Sequence, residues 1–331
     1  MILLSVIIPL YNTAEYIEQC IRSIEECPAD PSFFEVIVVD DGSTDVSYNV
    51  VEGLCAIFDN IILIHQENLG VSVARMKGVS LAKGDYIWFV DSDDYVVQGA
   101  VKEVLTLIQT FNGIDVFVLP MLLKTDSGDD SFYSHVLKEQ VVVSGKELLK
   151  DKECRIVGPP QFVIKRCHFQ NKWLFFPEGI RYEDEYFSRV LKYADGSFLL
   201  TPKCMYVYRQ WRGSHMNSLK ISDTQDIVAV YRYLDRYADE VVKEQDIPWF
   251  KNNIVSFLLE SYTRNSKAFG TTEFKAFRNK YGRFIRTEWN KYKQYFSVKD
   301  KILGGVLLSC PPLYRRLIRV NGLLRGKLHN L

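Results

Sequence analysis

At 331 residues the chain exceeds the usual length of one compact domain, so one large domain with an appendage, or two domains, is expected. Its 47% hydrophobic, 13% aromatic and 25% charged residues lie in the globular range and exclude a disordered, collagen-like or disulfide-scaffold chain. The 41 basic and 41 acidic residues cancel unevenly: from position 249 on, 17 Lys and Arg stand against 4 Asp and Glu, so the part before it is acidic.

Residues 1–10 are apolar but lack a basic flank and run straight into Tyr11-Asn12-Thr13-Ala14-Glu15, so they are expected to form a buried first strand rather than a secretory signal. Short β-branched runs predict strands over 3–9, 34–40, 61–65, 86–91 and 115–119. The apolar spacing between them predicts helices over 14–26, 46–58, 71–82 and 100–111. Strands apolar on both faces and joined by helices predict an α/β, doubly wound parallel sheet covered on both sides. Residues 121–145 differ, being polar through Asp126-Ser127-Gly128-Asp129-Asp130 and then alternating over 131–143 as in a hairpin or meander. A helix over 183–191 and a strand over 205–208 follow. After about residue 222 strand signals stop, and residues 249–296 hold 13 aromatics in 48 positions, interleaved with Lys and Arg. The expected organisation is a domain over 1–222 and a helical, basic and aromatic region over 223–331.

Seven cysteines, odd in number and without a Cys-x-x-Cys pair, argue against a disulfide framework and a zinc site, and for a reducing, cytoplasmic compartment. No run of about 18 apolar residues occurs, so a membrane-spanning helix is not expected.

In an open sheet of this kind ligands bind beyond the carboxyl ends of the strands. The first predicted strand ends in Pro9-Leu10-Tyr11-Asn12, the second in Asp40-Asp41-Gly42-Ser43-Thr44-Asp45, and the fourth in Asp91-Ser92-Asp93-Asp94. Each acidic element, taken singly, reads as a helix-capping turn. Together at one rim they repel unless a cation or hydrogen-bond donors occupy it, and a divalent metal is the economical answer.

These elements, with Ser5-Val6-Ile7-Ile8-Pro9, Asn68-Leu69-Gly70-Val71-Ser72-Val73-Ala74-Arg75 and Glu183-Asp184-Glu185-Tyr186-Phe187, resemble family 2 glycosyltransferases in order and spacing over about residues 4–190. The resemblance implies a GT-A fold, a Rossmann-like mixed sheet flanked by helices. It implies Asp91-Ser92-Asp93 as the Asp-x-Asp element, with Asp93 the leading ligand of Mn²⁺ or Mg²⁺ and Asp91 near the ribose or the metal. It further implies that Asp41 accepts from the nucleotide base, that Pro9, Tyr11 and Asn12 form the wall under base and ribose, and that Arg75 approaches the diphosphate. Asp40, Asn68 and Ser92 complete the donor-binding set, and Asp184, with Glu183 beside it, is the implied general base of an inverting transfer. Arg209 and His215 fall where similar enzymes close a loop over the diphosphate, with His215 a further candidate metal ligand. The usual Ala-Arg-Asn-x-Gly is here Ala74-Arg75-Met76-Lys77-Gly78.

Competing readings fit less of the chain. Neither Gly-x-Gly-x-x-Gly after the first strand nor Gly-x-x-x-x-Gly-Lys-[Ser/Thr] occurs, which argues against a dinucleotide-dependent dehydrogenase and a P-loop enzyme. Asp91-Ser92-Asp93-Asp94-Tyr95 departs from phosphatase signatures at Tyr95, and the Asp40-Asp41 pair follows the second strand where a signalling receiver has its pair after the first. A non-catalytic nucleotide-sugar or carbohydrate-binding module is the alternative from another class. The expected activity is transfer of a sugar, UDP-linked, to a saccharide or lipid-linked acceptor in cell-surface polysaccharide synthesis. No nucleic-acid recognition motif accompanies the basic C-terminal part. An anionic membrane surface suits it better, since Leu313, Leu317, Val320, Leu324 and Leu328 share one helical face. The expected location is therefore cytoplasmic, peripheral at the inner face of the cell membrane.

Overall fold

The computed structural model describes residues 1–125, 131–132, 139–151, 156–210, 223–264 and 272–310, in two compact units, Met1–Asn217 and Ser218–Leu331. In the first unit the strands are β1 (Leu4–Leu10), β2 (Phe34–Asp41), β3 (Ile61–Gln66), β4 (Tyr86–Phe89), β5 (Tyr95–Val96), β6 (Val116–Val118), β7 (Met121–Thr125), β8 (Ser131–Phe132), β9 (Val141–Ser144), β10 (Phe162–Lys165), β11 (Ser197–Leu200) and β12 (Tyr206–Gln210). Its helices are α1 (Ile17–Glu25), α2 (Ser47–Cys55), α3 (Val71–Leu81), α4 (Ala100–Thr110), α5 (Gly145–Lys150) and α6 (Glu183–Tyr193).

Every residue of β1 and β2 is buried, as the two-sided apolar pattern requires of central strands flanked by helices. Ser5 and Glu35 are admitted to this interior because Ser5 Oγ donates to Glu35 Oε1 at 2.7 Å and the Lys83 amide donates to the same oxygen at 2.6 Å. α1 buries Ile17, Cys20, Ile21 and Ile24, a helical i, i+3, i+4, i+7 face turned to the sheet. α3 lies tight on β1: a Cβ at Gly78 would stand 2.4 Å from Ile7 Cγ2, so only glycine permits this approach.

The main sheet has eight strands in the order β3-β2-β1-β4-β10-β6-β11-β9. The first four are mutually parallel, but β10 enters antiparallel between β4 and β6, and β9 closes the far edge antiparallel to β11. The parallel sheet expected from the strand pattern is thereby corrected, and the mixed sheet that the resemblance implied is found. The 131–143 hairpin is corrected as well: β8 pairs with β7 in a second sheet, ordered β5-β12-β7-β8, while β9 joins the main sheet, and residues 133–138 between them lie outside the described residues.

The second unit contains α7 (Asp223–Glu240), α8 (Ile247–Arg264), α9 (Thr272–Tyr292) and α10 (Val298–Ser309). Many of its aromatics pack inward, as with Tyr237 against Phe250 and Trp289 against Phe296. Lys251, 1% exposed, is held by Asp235 and, at 2.8 Å, by Asp239, so its charge is paired where water is excluded. The face drawn through Leu313 and Leu328 lies outside the described residues.

Candidate active site

Three loops meet beyond the carboxyl ends of β1, β2 and β4. Asn12, at φ 50°, adopts the left-handed conformation that asparagine tolerates. Its amide donates to Ser43 Oγ at 3.1 Å, and its Oδ1 accepts from the amides of Thr44 at 2.8 Å and Asp45 at 3.3 Å. Thr13 extends the stitching, its amide donating to Ser47 Oγ at 3.0 Å and its hydroxyl to Ser92 Oγ at 2.9 Å. The three strand ends thus form one hydrogen-bonded rim rather than three independent turns.

Asp40 and Asp41 close β2 and face inward. In the β2–β3 register Asp40 stands beside His65 and Asp41 beside Gln66, and each pair is hydrogen-bonded, at 2.7 Å and 2.8 Å. The Asp41 carboxylate also accepts from the amides of Leu69 and Gly70, both at 2.8 Å, so it anchors the loop that launches α3. Gly42, at φ 72°, lets that loop close in, since a Cβ there would meet the Asn68 amide nitrogen at 2.8 Å. Asp40 is wholly buried and Asp41 nearly so, whereas Asn68 is exposed on the loop they support.

Arg75, on α3, joins two acidic segments that lie 92 positions apart in the chain, at 91 and 183. Its Nη2 donates to Asp91 Oδ1 and its Nη1 to Glu183 Oε1, each at 2.8 Å, while the guanidinium carbon stands 5.1 Å from the Phe176 ring centroid. Phe176 stacks on Phe187 at 4.1 Å and meets Phe89 edge-on, so an aromatic bed fixes the cation from below. Burial works against the Arg75 charge, but Asp91 and Glu183 outweigh it and raise its pKa. Arg75 Nε is buried and has no acceptor among the described residues.

Glu183, Asp184 and Glu185 occupy the first turn of α6, where the helix N-terminus favours negative charge. The turn is entered through Tyr182 at φ 65°, a strained conformation for a bulky residue. Asp184 Oδ1 accepts from the Glu185 amide at 2.9 Å. Burial, followed by repulsion from Glu183 and Glu185, pushes the Asp184 carboxyl up to about 8, and Arg75 opposes the rise. The pair thus separates by environment: Glu183 is committed to Arg75, while Asp184 has high proton affinity and no cationic partner among the described residues.

Of the other residues singled out, Pro9 is buried within β1, Tyr11 is 46% exposed at the rim, and Ser92 is buried under Thr13. Arg209 lies over the rings of Tyr16 and Tyr95 and donates to Gln19 Oε1 at 2.7 Å. His215 lies outside the described residues. Sequence reasoning missed the supports of the acidic loop. Asp94 is fully buried and accepts from the Tyr206 hydroxyl and, at 2.8 Å, from the Arg209 amide. The Asp91 amide in turn donates to the Tyr206 hydroxyl at 3.2 Å. The only signal available was Asp94 itself, the third acid of the run.

A divalent cation fits this donor set. Among the described residues no three His, Cys, Asp or Glu side chains are grouped to hold an ion unaided. Yet burial and the charges of Asp93 and Asp91 hold the Asp94 carboxyl well above its usual range, and burial with the same three acids raises the Cys20 thiol. Clustered carboxylates that raise one another's proton affinity offer the hard oxygen donors that suit Mn²⁺ or Mg²⁺, with the remaining positions left to phosphate oxygens.

Comparison with known proteins agrees with this architecture. The sequence profile described as Glycosyl transferase family 2 matches residues 5–169, about half of the chain. Glycosyltransferase GlyG of Streptococcus pneumoniae is 27% identical over 289 residues, covering 84% of this chain and 93% of that protein. Among solved structures, Staphylococcus aureus TarS 1–349 in complex with UDP-GlcNAc superposes with a TM-score of 0.61 at 19% identity, covering 88% of this chain and 92% of that one. The mannosyltransferase PcManGT of Pyrobaculum calidifontis, in complex with GDP-Man and Mn²⁺, gives a TM-score of 0.53 at 16% identity, over 93% and 87% of the two chains. At these identities the structural matches establish the GT-A fold alone.

Proposed function

The chain belongs to glycosyltransferase family 2, and we propose that it moves a sugar, with inversion, from a UDP-linked donor to a saccharide acceptor in the assembly of a bacterial surface polysaccharide. The observation that carries this reading is the union of the Asp91–Asp94 loop with α6 through Arg75, which ties an acidic loop to the helix that bears a carboxyl of raised proton affinity. The UDP-GlcNAc bound by TarS supports the choice of nucleotide.

In this reading Tyr11 and Asn12 bear the base and ribose, with the Asp41-anchored loop and its Asn68 alongside. The acceptor hydroxyl attacks the anomeric carbon from the face opposite the leaving group. A new C–O bond forms, the bond to the diphosphate breaks with its electron pair leaving on UDP, and the hydroxyl proton passes to Asp184. A carboxyl with a pKa of about 8 is well matched to that task once deprotonated. When bound, Mn²⁺ or Mg²⁺ held by Asp93 and Asp91 would supply Lewis-acid stabilisation of the departing diphosphate. Arg75 keeps the acidic loop and α6 in fixed relation. Its unpaired Nε–H, a buried donor that costs about 1–3 kcal/mol while unmet, suits an incoming ligand oxygen.

The acceptor is proposed to be lipid-linked, with the enzyme peripheral at the inner face of the cell membrane. The basic excess after position 248 supports this, and among the described residues no helix is long and apolar enough to cross a bilayer. A panel of nucleotide sugars incubated with the enzyme and Mn²⁺ tests the activity, because a transferase lacking acceptor slowly releases its nucleotide. UDP released from one sugar nucleotide is expected. No release from any UDP-, GDP- or dTDP-sugar, with acceptor extracts added, would sink the reading.

A further inference from the structure

The second unit carries a surface that includes none of the candidate site residues described above. α9 and α10 border a groove of about 660 Å³ lined by Arg286, Trp289, Asn290, Lys293 and Lys301, among others. Arg286 Nη2 donates to the Leu308 carbonyl at 2.8 Å and ties the two helices together, while Lys293 and Lys301 remain exposed at the groove. Beside it α10 leaves Val298 73% and Ile302 59% exposed, and Tyr295 just before it 41%. At 100° per residue Val298, Ile302, Gly305 and Ser309 form one stripe of α10, and the last two also line the groove. The apolar stripe and the basic groove are therefore continuous. α10 spends a different side on packing, through Gly304 against the Trp289 ring and through the buried Leu307 and Leu308.

An exposed Val and Ile one turn apart, flanked by lysines, are costly in water and match a surface that is apolar beneath and anionic above. We propose that this face of α10, with its adjoining groove, docks on an anionic phospholipid bilayer, Val298 and Ile302 entering between headgroups while Lys293 and Lys301 meet the phosphates. This rests on the reading that the enzyme works at a membrane, and it names the surface. Charge complementarity supports the occupant, since 17 basic residues stand against 4 acidic ones from position 249 on. A second copy of the chain fits less well: a two-fold contact would set the same lysines against each other.

Co-sedimentation of the full chain with phosphatidylcholine vesicles, with and without phosphatidylglycerol, tests this at low salt. The unaltered protein is expected to bind the anionic vesicles far more tightly than the neutral ones. Val298→Asp with Ile302→Asp should weaken binding on the order of tenfold or more. Lys293→Glu with Lys301→Glu should weaken it about as much, at roughly fivefold for each basic residue lost near the surface. All four positions are exposed, so melting temperature and UDP-sugar hydrolysis should stay unchanged. Binding equal to that of the parent in both double variants would overturn the assignment to α10 while the membrane reading survives. A parent that ignores anionic vesicles would overturn both. A dimer in the parent that dissociates in the Val298→Asp/Ile302→Asp variant, without change in vesicle binding, would make this face a self-interface instead.

Discussion

In the role proposed for Asp184, function and stability pull in opposite directions. Its carboxyl rises from 3.8 to about 8 because burial and two neighbouring acids disfavour its charge. The raised value means that the folded state holds the proton more tightly than the unfolded one. Stability is therefore fullest below about pH 4 and is lost progressively as pH rises through about 8. Asp184→Asn should lower kcat by about 10²–10⁴ with UDP affinity nearly unaltered. The same variant should melt a few degrees above the parent at pH 8, with the gap closing towards pH 4. Thermal scans at both pH values and steady-state kinetics check the pair of outcomes, and a loss of UDP affinity would move Asp184 into the donor site. Asp93 makes the complementary case. Asp93→Ala should abolish the Mn²⁺-dependent part of UDP binding measured by calorimetry and leave the fold intact, because the residue is only partly buried on a loop. Arg75→Lys keeps the charge but not the fork that reaches Asp91 and Glu183 together. It should cost on the order of 10²-fold in kcat through misplacement, as steady-state kinetics would show.

α3 is the element that converts packing into site geometry. Ser72, Arg75 and Gly78 recur every third residue on its buried side: Ser72 Oγ donates to the Pro177 carbonyl at 2.8 Å, Arg75 bridges the acids, and Gly78 lets the helix rest on Ile7. Gly78→Val should therefore push the helix off β1 at a cost of about 1–3 kcal/mol and lower kcat as Arg75 moves with it. A lower melting temperature with unchanged kcat would separate the helix's packing from its role in the site. The same element marks where sequence reading succeeds and where it stops. The predicted helix over 71–82 is found at Val71–Leu81, and β1 to β4 begin within a residue of their predicted starts, because two-sided burial and amphipathic periods are local signals. β10 escaped because four residues after Pro159-Pro160 carry no period. Without it the central sheet reads as wholly parallel. Within the site, strand-end positions were legible for Asn12, Asp41 and Asp91, but their partners were not. The link from Asp41 to the Leu69 and Gly70 amides, and from Arg75 to Glu183, depends on loops closing across the fold, and no local pattern encodes such closure.

For the chain as a whole, the zero net charge is the least informative number in the sequence, because basic and acidic residues are segregated along it. Two forces would hold the second unit to a membrane, and salt separates them. Attraction between lysines and anionic headgroups is screened over about 10 Å at 0.1 M salt and about 3 Å at 1 M. Insertion of Val298 and Ile302, the most exposed apolar side chains on α10, is not weakened by salt. Binding to phosphatidylglycerol vesicles should therefore fall steeply between 0.1 and 1 M NaCl but level off above zero in the unaltered protein. In Val298→Asp/Ile302→Asp the residual, salt-resistant fraction should vanish, and in Lys293→Glu/Lys301→Glu the salt-sensitive fraction should shrink while the plateau stays. If the parent's binding falls to nothing at 1 M salt, apolar insertion contributes no anchoring, and α10 meets the surface through charge alone.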